Sequence, residues 1–405
     1  MSKLAAILGG LSDQERRRRG LEFTPFEIYQ QPQMWEETLS LVGEQATGLK
    51  ELLARAWHAG GGSPALYFLG AGTSEYVGNA VADTLRRRLR VHSSSVPTTT
   101  FVTAPADWIE PSRFYLFVHF ARSGDSPESI ASYELARRLS PQSLHLVITC
   151  NREGRLAKES RRDNQTLVLC LPDQTNDRSL VMTSSYSSMA LAAISLSHLD
   201  SIEGFRADVR SAAKAVRALL DEQVPVVEGF AALAPARLQF LGTGNLYGCM
   251  QECRLKTLEM TAGRMLANAN TYLGLRHGPQ VFVNDECGVV ASLSSDSYRR
   301  AYEIDLLKEL AAKKQGKELL LICNRREDGA GLSTPFTIVL AEGDATIAND
   351  LRAVTDVVVG QLLGLFSCMR LGLKPDNPSE SGIINRVVSG VSIYPFNSAP
   401  DLGSS

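Results

Sequence analysis

The order of apolar and polar residues along the chain predicts alternating strands and helices. Short apolar runs, such as residues 66–69, 115–119 and 144–149, have the length of strands and end at glycines or polar turns. Stretches with helical spacing follow them, for example residues 127–139 and 297–312. Strands that alternate with helices form parallel sheets covered by helices on both faces. We therefore predict an α/β fold in which ligands bind beyond the carboxyl ends of the strands.

The chain contains the same landmarks twice. Residues 66–74 (LYFLGAGTS) match residues 238–246 (LQFLGTGNL), and two later pairs of segments, FARSGDS with ASLSSDS and LVITCNR with LLLICNR, match at nearly the same offset. This spacing predicts two tandem three-layer α/β/α domains. The predicted order is a helical segment at 1–50, the first domain at 51–200, a linker helix at 201–225, the second domain at 226–372 and an extended tail at 373–405.

Composition and charge narrow the class of protein. Of the 405 residues, 44% are apolar and 21% charged, and the formal net charge is −2. A nucleic-acid-binding domain is usually basic, so we expect no nucleic-acid partner. Four consecutive arginines, Arg16 to Arg19, follow Asp13 and Glu15, a pattern typical of a solvated helix face.

The N-terminal sequence and the cysteines indicate the cellular location of the protein. No run reaches the roughly 18 apolar residues that a membrane span needs, and the N-terminus lacks a signal-peptide pattern. The seven cysteines are scattered and include no C-x-x-C pair. We therefore expect a cytoplasmic protein with reduced thiols, no membrane partner and no metal site.

A glycine turn, residues 70–74 (GAGTS), follows the first predicted strand. Glycines let the backbone approach an anion, and the N–H groups of a following helix attract negative charge. The next glycine, Gly78, falls three residues too late for the dinucleotide pattern G-x-G-x-x-G. The turn therefore favours phosphate over a nicotinamide cofactor, and we expect no cofactor.

Two further polar segments precede predicted helices. Residues 121–126 (ARSGDS) offer Ser123 and Ser126 as donors and Arg122 as a charge, although Ser126 is also a plausible ordinary helix cap. Residues 182–188 (MTSSYSS) contain five serine and threonine hydroxyl groups, more than one cap requires. The second copy is poorer in such groups, which indicates that the first copy holds the phosphate.

Charged residues at helical spacing mark the second copy. Glu252, Lys256 and Glu259 lie four and three residues apart, so one face of a helix carries all three. This pattern is compatible with a surface ion-pair ladder, or with a general base, Glu259, next to an ammonium group and a second carboxylate. His277 follows in the Gly/Pro turn RHGP.

Taken together, these motifs resemble those of the sugar isomerase (SIS) family. The shared features are GxGTS, SGDS, and E-x-x-x-K-x-x-E followed by RHGP, and they are similar to the isomerase half of glutamine:fructose-6-phosphate amidotransferase. They are closer to the galactosamine-6-phosphate deaminase/isomerase group, also called tagatose-6-phosphate ketose/aldose isomerases, whose ending the tail 376–396 resembles. The resemblance implies two SIS-type domains.

The resemblance also implies roles for residues. Glu259 would move a proton between C2 and C1, with Lys256 and Glu252 beside it, and His277 would assist ring opening from the partner subunit of a homodimer. The remaining residues would bind the sugar phosphate; they are Gly72, Thr73, Ser74, Arg122, Ser123, Gly124, Asp125, Ser126, Thr183, Ser184 and Ser185.

The implied reaction converts galactosamine 6-phosphate into tagatose 6-phosphate and ammonia. Val388 stands where the amidotransferase has a ring-opening lysine, and two extra residues separate Glu259 from His277. The departure at Val388 argues for a catabolic enzyme. The alternatives are a glucosamine-6-phosphate deaminase, a ketose/aldose isomerase without deamination, and a non-catalytic sugar-phosphate sensor.

Overall fold

In the computed structural model, which describes residues 3–341, 346–379 and 381–396, five helices precede the first strand. The buried side chains of the fourth helix, among them Trp35, Leu39 and Val42, recur every three or four residues and face the protein core. In the second helix, Arg18 and Arg19 both pair with Glu15 and remain partly exposed. These helices are α1 (Lys3–Gly10), α2 (Asp13–Arg19), α3 (Thr24–Tyr29), α4 (Gln31–Glu44) and α5 (Ala46–Ala59).

The first sheet has five parallel strands in the order β2-β1-β3-β4-β5. Three of these strands are buried along their whole length, which fits a parallel sheet covered on both faces. We call this sheet and its helices the first lobe. Its strands are β1 (Ala65–Gly70), β2 (Ser93–Pro97), β3 (Tyr115–Ala121), β4 (Leu144–Thr149) and β5 (Thr166–Cys170), and its helices are α6 (Thr73–Leu89), α7 (Thr98–Thr103), α8 (Pro127–Leu139), α9 (Arg155–Ser160) and α10 (Ser184–Ser195).

The second sheet, in the second lobe, has the same strand order, β7-β6-β8-β9-β10, and is also parallel. The prediction of two tandem α/β domains with parallel sheets is therefore confirmed. Its strands are β6 (Arg237–Leu241), β7 (Leu266–Asn270), β8 (Cys287–Ser292), β9 (Glu318–Cys323) and β10 (Phe336–Val339), and its helices are α13 (Asn245–Met260), α14 (Tyr272–Leu275), α15 (Ser297–Ala312) and α16 (Asn349–Arg370).

The lobes are joined by a helical run that is longer than the predicted linker. Helix α11 (Ile202–Ala218) continues through a π-helical turn (Leu219–Gln223) into α12 (Val224–Ala232). Pro225 lacks an N–H group, so the regular hydrogen-bond pattern cannot pass through it. The side chain of Gln223 bonds both the N–H and the carbonyl of Val339, which ties the turn to the edge of the second sheet.

One hydrophobic core extends through both lobes. It includes Phe68 of β1, Phe240 of β6 and most of α16. Helix α16 is long and apolar enough to cross a membrane, but its apolar window is entirely buried within the protein. It is therefore the central core helix of the fold.

Helices α6 and α13, which follow the two glycine turns, pack directly on each other. Asn79 donates to Gln251 over 2.9 Å, and these residues occupy matching positions in the two copies. A Cβ atom on Gly248 would lie 2.4 Å from the backbone nitrogen of Ala80, so this approach requires glycine. The contact brings the amino end of α6 against the middle of α13.

The tail after α16 runs over the first lobe as an extended segment. Asp376 accepts hydrogen bonds from the N–H groups of Glu22 and Thr24, and Arg138 donates to the carbonyl of Phe396 over 2.8 Å. Between residues 381 and 396 the described chain contains no helix or strand. Residues 397–405 of the predicted tail lie outside the described residues.

Candidate active site

The glycine turn of the first lobe connects β1 to α6. Gly72 has φ +56°, a backbone conformation that favours glycine, and α6 begins at the next residue, Thr73. The side chains of Thr73 and Ser74 are almost fully buried at the amino end of α6, which packs against α13. The turn thus presents a helix amino end at the edge of the sheet where ligands bind in this fold class.

The loop from Ser123 to Ser126 is held by hydrogen bonds from Asn151 and Arg155. The carbonyl of Ser123 accepts from the Asn151 side chain over 2.9 Å, and Asp125 accepts from the N–H of Arg155 over 2.9 Å. Within the described parts of the chain, the N–H groups of Ser123, Gly124 and Ser126 have no hydrogen-bond partner. Such a set of free donors before a helix suits an anion.

Ser126 occupies the cap position of α8, but its hydroxyl does not bond a backbone N–H of that helix. It lies 2.6 Å from the hydroxyl of Ser129 instead. Pro127, the first helical residue, has no N–H to be capped. The ordinary capping role proposed as an alternative is therefore absent from the geometry.

Arg122 does not extend into the space in front of this loop. Its guanidinium is buried and donates to the carbonyls of Ser179 (3.2 Å) and Leu180 (3.0 Å), and also to that of Arg386 in the tail. Burial lowers the pKa of this guanidinium. The side chain thereby ties the loop to the turn before α10 and to the tail.

The hydroxyl cluster at the start of α10 is fully buried and converges on one carboxylate. The hydroxyls of Ser184 and Ser185 each donate to Asp177 over 2.5 Å, and the N–H of Thr183 donates over 2.7 Å. Together these bonds cap α10 from a residue outside the helix. Asp177 was not predicted from the sequence. The one signal for it is the position of an acidic residue six residues before Thr183.

Lys256, Glu252 and Glu259 share one face of α13, as their spacing predicts, but the face is an interior one. Lys256 is fully buried; its ammonium donates to Glu259 over 2.5 Å and lies 3.3 Å from Glu252. It also donates to the hydroxyl of Thr73 over 3.0 Å. A surface ion-pair ladder is therefore ruled out, and the triad meets the glycine turn of the first lobe.

Burial changes the protonation of this triad. It raises the pKa of the Glu252 carboxyl to about 8, against the opposing effect of the Lys256 ammonium. One oxygen of Glu252 accepts from Thr73 over 3.2 Å, and the other has no partner among the described residues. Burial opposes the charge on Lys256, but the neighbouring carboxylates raise its pKa above the ordinary value. Near pH 7, Lys256 is therefore charged and most Glu252 is neutral.

Glu259 is the member of the triad that reaches open space. Its side chain keeps 22% of its accessible surface, whereas Lys256 and Glu252 keep none. A cavity of about 610 Å³ begins at Glu259 and is bounded by α13 and by the tail residues Pro378, Ser379 and Ile384. A partly exposed carboxylate beside a buried ammonium can exchange a proton with a ligand.

His277 lies away from this triad, in the exposed turn after α14. Its ring makes no hydrogen bond or ion pair with any described residue, whereas the adjacent Arg276 pairs with Glu309 over 2.7 Å. The side chains of Leu273 and Val281 around it are 47% and 87% exposed. Val388, in the tail, is also exposed, at 53%.

In the corresponding loop of the second lobe, backbone N–H groups are bonded to side chains of the protein. Ser294 stands where the first lobe has Ser123, and its N–H donates to the buried carboxylate of Glu303 over 2.7 Å. The next N–H, of Ser295, donates to Asn349 over 3.0 Å. Internal acceptors thus take two of the donors whose counterparts stay free in the first lobe.

The helix that faces this second loop also lacks the triad. On the alignment of the two copies, Thr84 and Arg87 of α6 stand where α13 has Lys256 and Glu259. Arg87 pairs with Asp350 over 2.5 Å. The acid–base groups of α13 therefore contact the glycine turn of the first lobe, the lobe that also carries the free donors.

Comparisons with known proteins identify the family of this chain. The SIS domain family model matches residues 63–226. The chain is 34% identical over 382 residues to the D-galactosamine-6-phosphate deaminase AgaS of Escherichia coli, covering 92% of this chain and 96% of that protein.

Two solved structures are similar as well. The tagatose-6-phosphate ketose/aldose isomerase from Escherichia coli superposes with a TM-score of 0.83 at 31% identity, covering 92% of this chain and 97% of that one. The C-terminal domain of glucosamine-fructose-6-phosphate aminotransferase from Francisella tularensis has a TM-score of 0.72 at 18% identity, covering 87% and 98%, and shows a shared fold.

Proposed function

The chain belongs to the SIS family of sugar isomerases, and from that premise we propose that it is a deaminating isomerase of galactosamine 6-phosphate. The products are tagatose 6-phosphate and ammonia. The observation that carries the proposal is the contact of Thr73 with Lys256, because it joins an anion-binding turn to a buried acid–base triad. The name of the Escherichia coli relative supplies the substrate.

In the proposed reaction, the hydroxyls of Ser74, Ser123 and Ser126 bind the 6-phosphate, together with the free N–H groups of the loop at 123–126. Glu259 then removes the proton from C2 of the open-chain amino sugar, and the C1 oxygen takes a proton from water, so that an enaminol forms. The Lys256 ammonium is fully buried, so it acts on the ligand through Glu259, whose carboxylate it holds in place.

Glu259 next returns a proton to C1, which leaves an iminium at C2. Water adds to C2 and ammonia leaves, so one water is consumed for each ammonia released. The chemistry uses acid and base groups of the chain and asks for no redox cofactor or metal.

Ring opening precedes these steps and is assigned to His277 of the partner subunit. The exposed ring and its exposed apolar neighbours, Leu273 and Val281, support a homodimer in which this turn meets a second copy. Because a C2 dimer is self-complementary, each copy would complete the site of the other. We propose a cytoplasmic location for this enzyme, with no nucleic-acid or membrane partner.

Ammonia release from galactosamine 6-phosphate and from glucosamine 6-phosphate tests the proposal. We expect wild type to release ammonia from the galacto compound and Glu259→Gln to lose about 10² to 10⁴-fold in rate while still binding it. Glu134→Gln, which changes an exposed glutamate of α8, is the matched control and should keep the wild-type rate.

Other outcomes would contradict the proposal in distinct ways. Ammonia from the gluco compound alone would reassign the substrate. A sensor would release no ammonia from either compound but would bind the sugar phosphate saturably. Its affinity for the sugar phosphate would be unchanged by Glu259→Gln.

A second candidate is ketose/aldose isomerisation without deamination, favoured by the name of the Escherichia coli structure. The same proton transfer by Glu259 would serve this reaction. Interconversion of tagatose 6-phosphate and its aldose, in the absence of ammonia release, would select it.

A further inference from the structure

Asp177 lies outside the glycine turn, the loop at 123–126 and helix α13, yet it is among the most heavily bonded side chains of the first lobe. It is fully buried, and its carboxylate accepts from two N–H groups and three hydroxyls of Thr183, Ser184 and Ser185. Breaking such a set of bonds to a buried group is costly, so its position is fixed. Asp177 therefore anchors the start of α10.

The short turn that begins at Asp177 holds two arginines through its backbone. The carbonyls of Ser179 and Leu180 accept from Arg122, the residue directly before the loop at 123–126. The carbonyl of Asp177 accepts from Arg386 of the tail over 2.8 Å. The placement of the loop and of the tail therefore depends on this turn.

A second buried carboxylate, that of Glu27, accepts hydrogen bonds from the turn that begins at Asp177. Glu27 of α3 accepts from the N–H of Arg178 over 2.5 Å and from that of Ser179 over 3.2 Å. Burial, together with the nearby Asp177 carboxylate, raises the pKa of Glu27 to about 7. The turn is thus fixed at its first residue by Asp177 and at its next two residues by Glu27.

We propose that Asp177 is a positioning residue for phosphate binding, acting through the turn 177–180 and Arg122 on the loop at 123–126. The proposal rests on the proposed function only in assigning the 6-phosphate to that loop. Asp177 itself need not touch the ligand, because its bonds are all to the start of α10. Its effect reaches the loop through the two carbonyls that Arg122 binds.

Asp177→Asn is the variant that tests this role. The amide keeps the shape of the side chain and one acceptor oxygen, but its NH₂ group faces hydroxyls that now donate to a carboxylate. We expect KM for the amino-sugar phosphate to rise about tenfold, with kcat within about twofold, since binding common to substrate and transition state is lost. The affinity for inorganic phosphate, measured by calorimetric titration, should fall by a similar factor.

Asp163→Asn is the matched control. Asp163 likewise accepts from a backbone N–H, that of Gln165, and from the hydroxyls of Tyr133 and Thr166, but it lies at the start of β5. We expect it to lower the melting temperature without changing KM or phosphate affinity. If Asp177→Asn behaves in the same way, its role is merely structural and the proposal is wrong.

If Asp177→Asn does not fold, Glu27→Gln tests the proposal instead. It should raise KM and weaken phosphate binding in the same direction, and unchanged values would overturn the proposal. If wild type releases no ammonia, the proposed function fails, while the phosphate titrations of wild type and the variants still decide the role of Asp177.

Discussion

At the scale of single residues, the protein stabilises a fully buried ammonium with three acceptors. Lys256 contacts Glu259, Glu252 and the hydroxyl of Thr73, and none of its own surface reaches solvent. A buried charge without partners is strongly destabilising, so each contact is needed in this setting. Of the two carboxyl groups that contact Lys256, only Glu259 also reaches open space.

The raised pKa of Glu252 predicts a pH dependence of stability. The folded protein keeps this proton up to about pH 8, whereas the unfolded chain releases it near the ordinary carboxyl pKa of 4.5. Stability from this group is therefore complete below pH 4.5 and is lost as the pH rises towards 8 and above. Each pKa unit corresponds to about 1.4 kcal/mol, so the loss is on the order of a few kcal/mol.

Glu252→Gln removes this titration because an amide stays neutral. Between pH 5 and pH 9, we expect the free energy of unfolding of wild type to fall more steeply than that of the variant, as measured by urea titration. Glu27 and Glu303 titrate in both proteins, so the difference isolates Glu252. Parallel pH profiles would show that Glu252 is already ionised in the folded protein.

At the scale of elements, the site depends on how α6 and α13 pack. Gly248 allows the two helices to approach at the pair Asn79 and Gln251, and the same approach puts Thr73 within reach of Lys256. In our proposal, α6 supplies part of the phosphate side of the site and α13 supplies the acid–base side. A small change in their separation should therefore affect stability and turnover together.

Gly248→Ala tests this packing. The added methyl group would overlap the backbone of Ala80, and overpacking of this kind typically costs about 1–3 kcal/mol. We expect the free energy of unfolding to fall by that amount and turnover to drop with it. Gly204→Ala, in the exposed part of α11 with no atom within 4 Å of the new Cβ, should instead gain about 0.5–1 kcal/mol. Equal effects of both changes would contradict the proposed role of the crossing.

At the scale of the whole molecule, the two lobes share one core but divide their roles. The first lobe offers free donors to an anion, while the matching loop of the second lobe gives its donors to Glu303 and Asn349. The second lobe instead supplies α13 and the exposed His277 turn. Such an arrangement leaves one site for each chain, and in our proposal that site is completed by a second copy.

Mixing two inactive variants tests the proposed shared site. Glu259→Gln and His277→Ala, each inactive alone, should regain about a quarter of wild-type activity after joint unfolding and refolding, because half of the dimers are mixed and each mixed dimer has one intact site. The readout is ammonia release from galactosamine 6-phosphate. Two copies of the same variant, treated identically, are the control. No recovery in the mixture would place His277 outside the partner's site.

The sequence by itself determined the elements and most of the chemistry. The alternation of apolar runs, the two glycine turns and the spacing of Glu252, Lys256 and Glu259 are local patterns, and local spacing fixes which residues share a strand end or a helix face. For that reason the two parallel sheets and the common face of the triad could be predicted without coordinates.

The tertiary structure alone decided which groups are free and which are occupied. Arg122 gives its guanidinium to carbonyls of residues 179, 180 and 386, and the hydroxyls of residues 183–185 turn to Asp177. The burial of Lys256 and the neutrality of Glu252 likewise depend on the packing of α6 against α13. These properties arise from contacts between residues far apart in the chain, whose distances and shielding from water exist only after the lobes have packed.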